Sequence, residues 1–102
     1  LPQLTWEFDD GGDEVTLRVR SSVKPSRVQV WIAQSDDRDF RPARFDSHNA
    51  KEVEGAYVYT LAKPDGEFAA MFGEAVFDGE PLAFYLSTKM HIVTPAKGEK
   101  DR

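Results

Sequence analysis

The hydrophobic period of this chain limits its folds more than any other feature. Apolar side chains recur at every second position in one stretch after another. Nowhere do they recur at i, i+3, i+4 and i+7 for more than about ten residues, the spacing a helix needs to keep one face dry. A pleated strand sends successive side chains to opposite faces, so the chain has to achieve its burial with sheets. Clusters of glycine, proline and short acidic residues punctuate the alternation. The expectation is an all-β domain, an antiparallel β-sandwich of immunoglobulin or fibronectin type III-like character with about seven strands. A small β-barrel is the competing architecture.

In chain order, Leu4, Trp6 and Phe8 share one face of a strand over residues 3–8, placed at an edge because Pro2 cannot donate to a ladder. Asp9-Asp10-Gly11-Gly12-Asp13 is a turn, and Val15, Leu17 and Val19 then alternate with Thr16, Arg18 and Arg20, as in a strand with one wet face. After a loop holding Pro25, Val28, Val30 and Ile32 alternate with Gln29, Trp31 and Ala33. A charged turn at Ser35-Asp36-Asp37 leads to Arg38-Asp39-Phe40-Arg41. A short pairing around Pro42 is expected within residues 40–45, and Asp46-Ser47-His48-Asn49 reads as loop. Tyr57, Tyr59 and Leu61 mark a further strand, followed by a Pro64-Asp65-Gly66 turn. Residues 68–77 form the next strand, Asp78-Gly79-Glu80-Pro81 a hairpin, and Leu82, Phe84, Leu86, Met90 and Ile92 one face of a long last strand. The domain spans residues 1–95 on this reading, with 96–102 a polar mobile tail.

Two of these strands break the wet-face rule. The strand through Trp31 puts its largest ring on the side that should meet water. Residues 68–77 carry Phe68, Ala70, Phe72 and Val76 on one face and Ala69, Met71, Gly73, Ala75 and Phe77 on the other. Either a bulge turns Trp31 inward, or something covers the second face.

Charge and composition exclude several classes. A net charge of −5 opposes nucleic acid and anionic membrane surfaces, since phosphate recognition wants a basic face. No apolar run approaches the roughly 20 residues that span a bilayer, so no membrane insertion is expected. There is no cysteine, hence neither a disulfide framework nor thiolate chemistry. The chain begins with Leu1 and shows no charged-then-apolar leader, which reads as a piece cut from a longer protein.

Active-site constellations are equally scarce, and no cofactor is expected. His48 and His91 lack a third ligand at zinc spacing. Asp9, Asp10, Asp13 and Glu14 gather oxygens without the alternate-position pattern of a calcium loop. Ser47 adjoins His48, but there is no Gly-x-Ser-x-Gly elbow and no glycine-rich loop leading into a helix. Glu74, mid-strand among apolar residues, is read as a structural acid paired with one of Arg38, Arg41 or Arg44. The aromatics Trp6, Trp31, Tyr57, Tyr59 and Tyr85 include material for a sugar-stacking platform, weighed against simple core packing.

Three motifs resemble the C-terminal part of the PhoPQ-activated pathogenicity-related protein family. They are Val30-Trp31-Ile32-Ala33-Gln34 running on to Arg38-Asp39-Phe40-Arg41, Pro64-Asp65-Gly66 followed by 68–74, and 86–93. The chain departs from the family pattern at the inserted Glu67, at Gly73 where an aliphatic residue is usual, and at Ser87 in place of threonine. The resemblance implies a small immunoglobulin-like domain following an α/β-hydrolase-like catalytic domain, in a bacterial protein of the envelope or exported. No catalytic motif of that partner lies in these residues.

The leading expectation is therefore a non-catalytic accessory β-sandwich docking on a catalytic domain of its own parent chain. Trp31, Ala33, Arg38, Phe40, Arg41, Ala69, Met71 and Gly73 are the contact candidates, with Asp39 and Glu74 structural. A flat row of small residues beside Trp31 would permit close approach of another surface. The alternative is a carbohydrate- or small-ligand-binding module. The sequence leaves the oligomeric state open.

Overall fold

The structure, a computed structural model, describes residues 1–79 and 83–96. Nine strands build two antiparallel sheets: β1 Leu4–Gly11, β2 Glu14–Ser21, β3 Arg27–Ser35, β4 Asp46–Asn49, β5 Lys51–Val53, β6 Ala56–Ala62, β7 Phe68–Phe77, β8 Phe84–Ser87 and β9 His91–Val93. One sheet has the order β1-β2-β6-β5. The other runs β4-β3-β7-β8, with β9 also paired to β7. Among the described residues there is no helix. The expected sandwich is present, and the nine strands reduce to the expected seven ribbons. Only Ala50 separates β4 from β5, so one extended stretch serves both sheets, and β8 and β9 are two halves of a broken last ribbon.

The core lies between the sheets. Val15, Leu17 and Val19 from β2 meet Val28 and Val30 from β3 and Ala69, Met71 and Ala75 from β7, all essentially inaccessible. Each buried aliphatic side chain of this size contributes about 1.5–3 kcal/mol, which is what holds two otherwise polar sheets together. The tightest approach is at Gly73, where a Cβ would stand 3.0 Å from Leu17 Cδ2 and 3.3 Å from Val19 Cγ2. Gly73 therefore replaces a bulky side chain because the opposing sheet already occupies that space.

The last ribbon departs from the sequence expectation. Glu74 pairs with Ser87 while Met71 pairs with His91, so the β8–β9 side holds one residue more than β7 across the same interval. That extra residue is a bulge, and it reverses the parity of the ribbon. Thr88 bridges it: the Gly73 N–H donates to Thr88 Oγ1 at 2.9 Å, and the Thr88 N–H to the Gly73 carbonyl at 2.9 Å. Leu86 therefore faces inward but Ile92 outward, opposite Ala70, and the inward residues of β9 are His91 and Val93. Leu82 and the Glu80-Pro81 part of the expected hairpin lie outside the described residues, as does the tail beyond Ala96.

The Asp46–Asn49 stretch expected as loop is the strand β4, and every residue of β4 and β5 is exposed. β3 recruits β4 as an edge partner through backbone bonds alone. β5 joins β6 through Glu54 and Gly55, both at positive φ, the geometry of a two-residue hairpin. Residues 40–45, in which a short pairing was expected, hold no strand.

Candidate functional site

Because β3 and β7 are hydrogen-bonded neighbours, the two double-sided strands of the sequence lie side by side. Their register decides what each face carries. Trp31 pairs with Phe72, Ala33 with Ala70, Gln29 with Glu74 and Ser35 with Phe68. Paired residues share a face, so these eight side chains line the outer surface of the five-stranded sheet. Val28, Val30 and Ile32 pair with Ala75, Gly73 and Met71 on the core side.

The contact candidates therefore separate. Trp31 is half-buried on the outer face. Ala69, Met71 and Gly73 sit on the inner face, buried against the other sheet, so the small-residue row expected beside Trp31 points into the core instead. The error came from assigning the wrong face of β7 to Trp31, which only the β3–β7 register could settle. The outer surface has small residues of its own, Ala33 and Ala70, both buried.

Part of that outer surface is covered by the chain itself. Phe45, just ahead of β4, meets the Phe72 ring at 5.8 Å between centroids. A ring rooted beside β4 and one on β7 meet above the intervening β3, where Ala33 leaves room. Arg38 lies over the Phe68 ring, 4.9 Å from its centroid. The loop carrying them is braced locally. Ser35 Oγ donates to the Asp39 carbonyl, and the Asp39 N–H donates to Asp37 Oδ1 at 2.9 Å. Arg41 grips Asp39 through Nε at 2.9 Å and a terminal nitrogen at 2.8 Å. This two-point bond from Arg41, helped by its backbone N–H, holds the Asp39 carboxyl below the usual carboxylate range and raises the Arg41 guanidinium. Arg41 and Asp39 are thus engaged with each other in the turn, and Phe40 is half-buried in the same loop.

The remaining half of the face is open. Ser87, Glu74, Gln29 and Asn49 follow one another across four strands in a polar row, and Trp31 with Ser47 forms the next. Tyr85, 59% exposed, stands on the same face at the β8 edge, opposite Val76. The indole Nε1 of Trp31 donates to Glu74 Oε1 at 3.1 Å. Glu74 is rooted diagonally across from Trp31 on the adjacent strand, so this bond draws the ring over the sheet surface. The expected arginine partner of Glu74 is not there: Arg38 is on Phe68, Arg41 on Asp39, and Arg44 lies 3.9 Å from Asp46.

The other aromatics named from the sequence are placed elsewhere. Tyr57 is buried, and Tyr59 packs inward against His48 at 5.3 Å. Trp6 is 37% exposed at the β1 edge on the core-facing side, opposite Val19. His91, opposite in parity to Ile92 and so turned away from the core in the expected last strand, lies inward instead. It stacks on Phe8 at 4.5 Å, and its Nε2 meets Asp10 Oδ2 at 2.7 Å. Asp10 also binds the nearly buried Lys63 ammonium at 2.7 Å. Burial alone would raise the Asp10 pKa, but the Lys63 and His91 contacts outweigh it and hold the carboxyl below its ordinary value. Among the described residues no three His, Cys, Asp or Glu side chains gather to hold a metal ion.

Solved structures of similar fold and size include two crystal structures. A crystal structure titled as a bromine derivative of BhCBM56 aligns with a TM-score of 0.60 at 14% identity, covering 92% of this chain and 94% of that one. The crystal structure of a carbohydrate-binding module family 56 β-1,3-glucan-binding domain aligns with a TM-score of 0.58 at 16% identity, over 90% and 99% of the two chains. At these identities the likeness is one of fold. No curated protein matches the chain. At the level of sequence, the family model of the PhoPQ-activated pathogenicity-related protein matches residues 1–41, the stretch that runs from β1 through the Trp31 strand to Arg41.

Proposed function

We propose that this chain is a non-catalytic carbohydrate-binding β-sandwich, and that the open half of the five-stranded sheet takes a β-glucan chain. The observation that carries the reading is the pairing of an aromatic ring with a row of hydrogen-bonding side chains on one sheet face. Trp31 is drawn across the sheet by Glu74, and Gln29, Asn49, Ser47 and Ser87 flank it. A pyranose has an apolar face of C–H groups and an equator of hydroxyls. An indole lying on a sheet answers the first, and amide, hydroxyl and carboxylate groups answer the second. The two solved structures of similar fold, one of them titled a β-1,3-glucan-binding domain, support that choice of ligand.

The test is affinity electrophoresis of the 102-residue chain in gels with soluble β-1,3-glucan, β-1,4-glucan or no polysaccharide. Retardation by the β-1,3-glucan, lost in Trp31→Ala and kept in Arg18→Ala, is the expected result. Migration unaffected by any glucan removes the reading.

Docking on a catalytic domain of the same chain is the second reading. It keeps Trp31 and the adjacency of the two double-sided strands, but not the row of Ala69, Met71 and Gly73. It takes precedence if no glucan retards the chain and a longer parent protein protects Trp31 from solvent quenchers.

A further inference from the structure

Glu74 is more than the mate of Trp31. It is half-buried in the middle of the outer face, and among the described residues no cation lies within salt-bridge distance of it. An ionised carboxylate offers about four acceptor positions. The indole N–H occupies one. Its directly paired neighbours on the two flanking strands, Gln29 and Ser87, are neutral, and Arg27, one pair further along the same face, makes no ion pair with it. A partly desolvated carboxylate without a counter-ion is costly unless donors reach it, and the open side of this face is where donors can arrive.

Resting on the glucan reading above, we propose that Glu74 contacts the ligand as well as positioning the Trp31 ring, and that it restricts this face to uncharged sugars. Hydroxyl groups donate to the free carboxylate oxygen as charge-assisted hydrogen bonds. A uronate or sulfated sugar would bring a second anion to the same point, within a chain whose net charge is already −5. The specificity thus works by rejection as much as by attraction.

The experiment uses the 102-residue chain, a neutral β-1,3-glucan, and the same glucan oxidised to carboxylates at its primary alcohols. Glu74→Gln keeps an acceptor oxygen for the indole, so its tryptophan emission and thermal midpoint should stay at wild-type values. Glu14→Gln makes the same charge change at an exposed position at the start of β2. Wild type should bind the neutral polymer at least about tenfold tighter than the acidic one, given the cost of juxtaposed like charges. Glu74→Gln should shrink that ratio to within about threefold, while Glu14→Gln leaves it unchanged. A wild-type ratio in Glu74→Gln, or an equal shrinkage in Glu14→Gln, overturns the inference and leaves the glucan reading standing. Wild type that binds neither polymer removes the glucan reading, and this inference with it.

Discussion

The two outer faces of this sandwich rest on the same backbone geometry and differ in what they present. On the four-stranded sheet the outward residues of β1 and β2 are mostly hydroxyls and charges, with Val58, Ala56 and Val53 as the apolar members further across the face. The Thr16 and Thr60 hydroxyls are 2.8 Å apart across β2 and β6, and Arg18 reaches Glu7 at 3.4 Å in the open. On the five-stranded sheet the outward residues include Trp31, Phe72, Phe68 and Tyr85, and the Glu74 carboxylate, which has no ion-pair partner among the described residues. A face that has only to meet water is complete as the first one stands. The second spends a large ring and a half-buried charge where a threonine and a lysine would serve solvent better. That surplus is what points to a ligand.

The contrast breaks most readily at Trp31. Replacing it with Ala should abolish glucan retardation and lower stability by about 2–3 kcal/mol in urea unfolding, below the 3–5 expected of a fully buried ring because Trp31 is half-buried. Loss of stability without loss of binding would make Trp31 a packing residue and erase the difference between the faces. Gly73→Ala probes the layer beneath. A Cβ 3.0 Å from Leu17 Cδ2 makes the packed methyls of Leu17 and Val19 give way, at a cost of about 1–3 kcal/mol in the same assay, yet binding per folded molecule should hold because Gly73 faces the core.

A third prediction concerns the Asp10 contacts that tie β1 to β9 and to Lys63. Asp10→Asn should cost about 1–3 kcal/mol near pH 7, because it leaves the Lys63 ammonium nearly buried without its anion. The pH dependence has a fixed sign. The folded-state pKa of Asp10 is depressed, so its contribution is fully present above the unfolded carboxylate value of about 3.9 and is lost as pH falls through the folded value. Thermal midpoints of wild type and Asp10→Asn should converge below about pH 4, and a constant gap down to pH 2 would remove the assignment. The smallest effect belongs to the wet face. Arg18→Ala should change stability by less than about 0.5 kcal/mol and leave binding untouched, since its ion pair with Glu7 is solvent-screened.

The sheet class was legible wherever one face had to stay dry. Leu17 between Thr16 and Arg18 permits only a strand with that residue inward, and the structure buries it completely. β4 and β5 were not legible, because edge strands made of Asp46-Ser47-His48-Asn49 or Lys51-Glu52-Val53 owe their extended form to a neighbour's backbone. The parity of the last ribbon was also hidden. Its bulge exists only in the pairing of 87–91 against 71–74, and it is what turns His91 inward and Ile92 outward.

For the candidate site the division runs along the same line. Period-two patterning is local, so the sequence by itself determined that Trp31 and the residues of β7 lie on strands with two apolar faces. Which face of β7 shares a surface with Trp31 depends on a register set between residues about forty positions apart, where a shift of one residue exchanges Ala69, Met71 and Gly73 for Ala70, Phe72 and Glu74. Only the tertiary structure decided that, because hydrogen bonds between strands carry no trace of themselves in either strand alone.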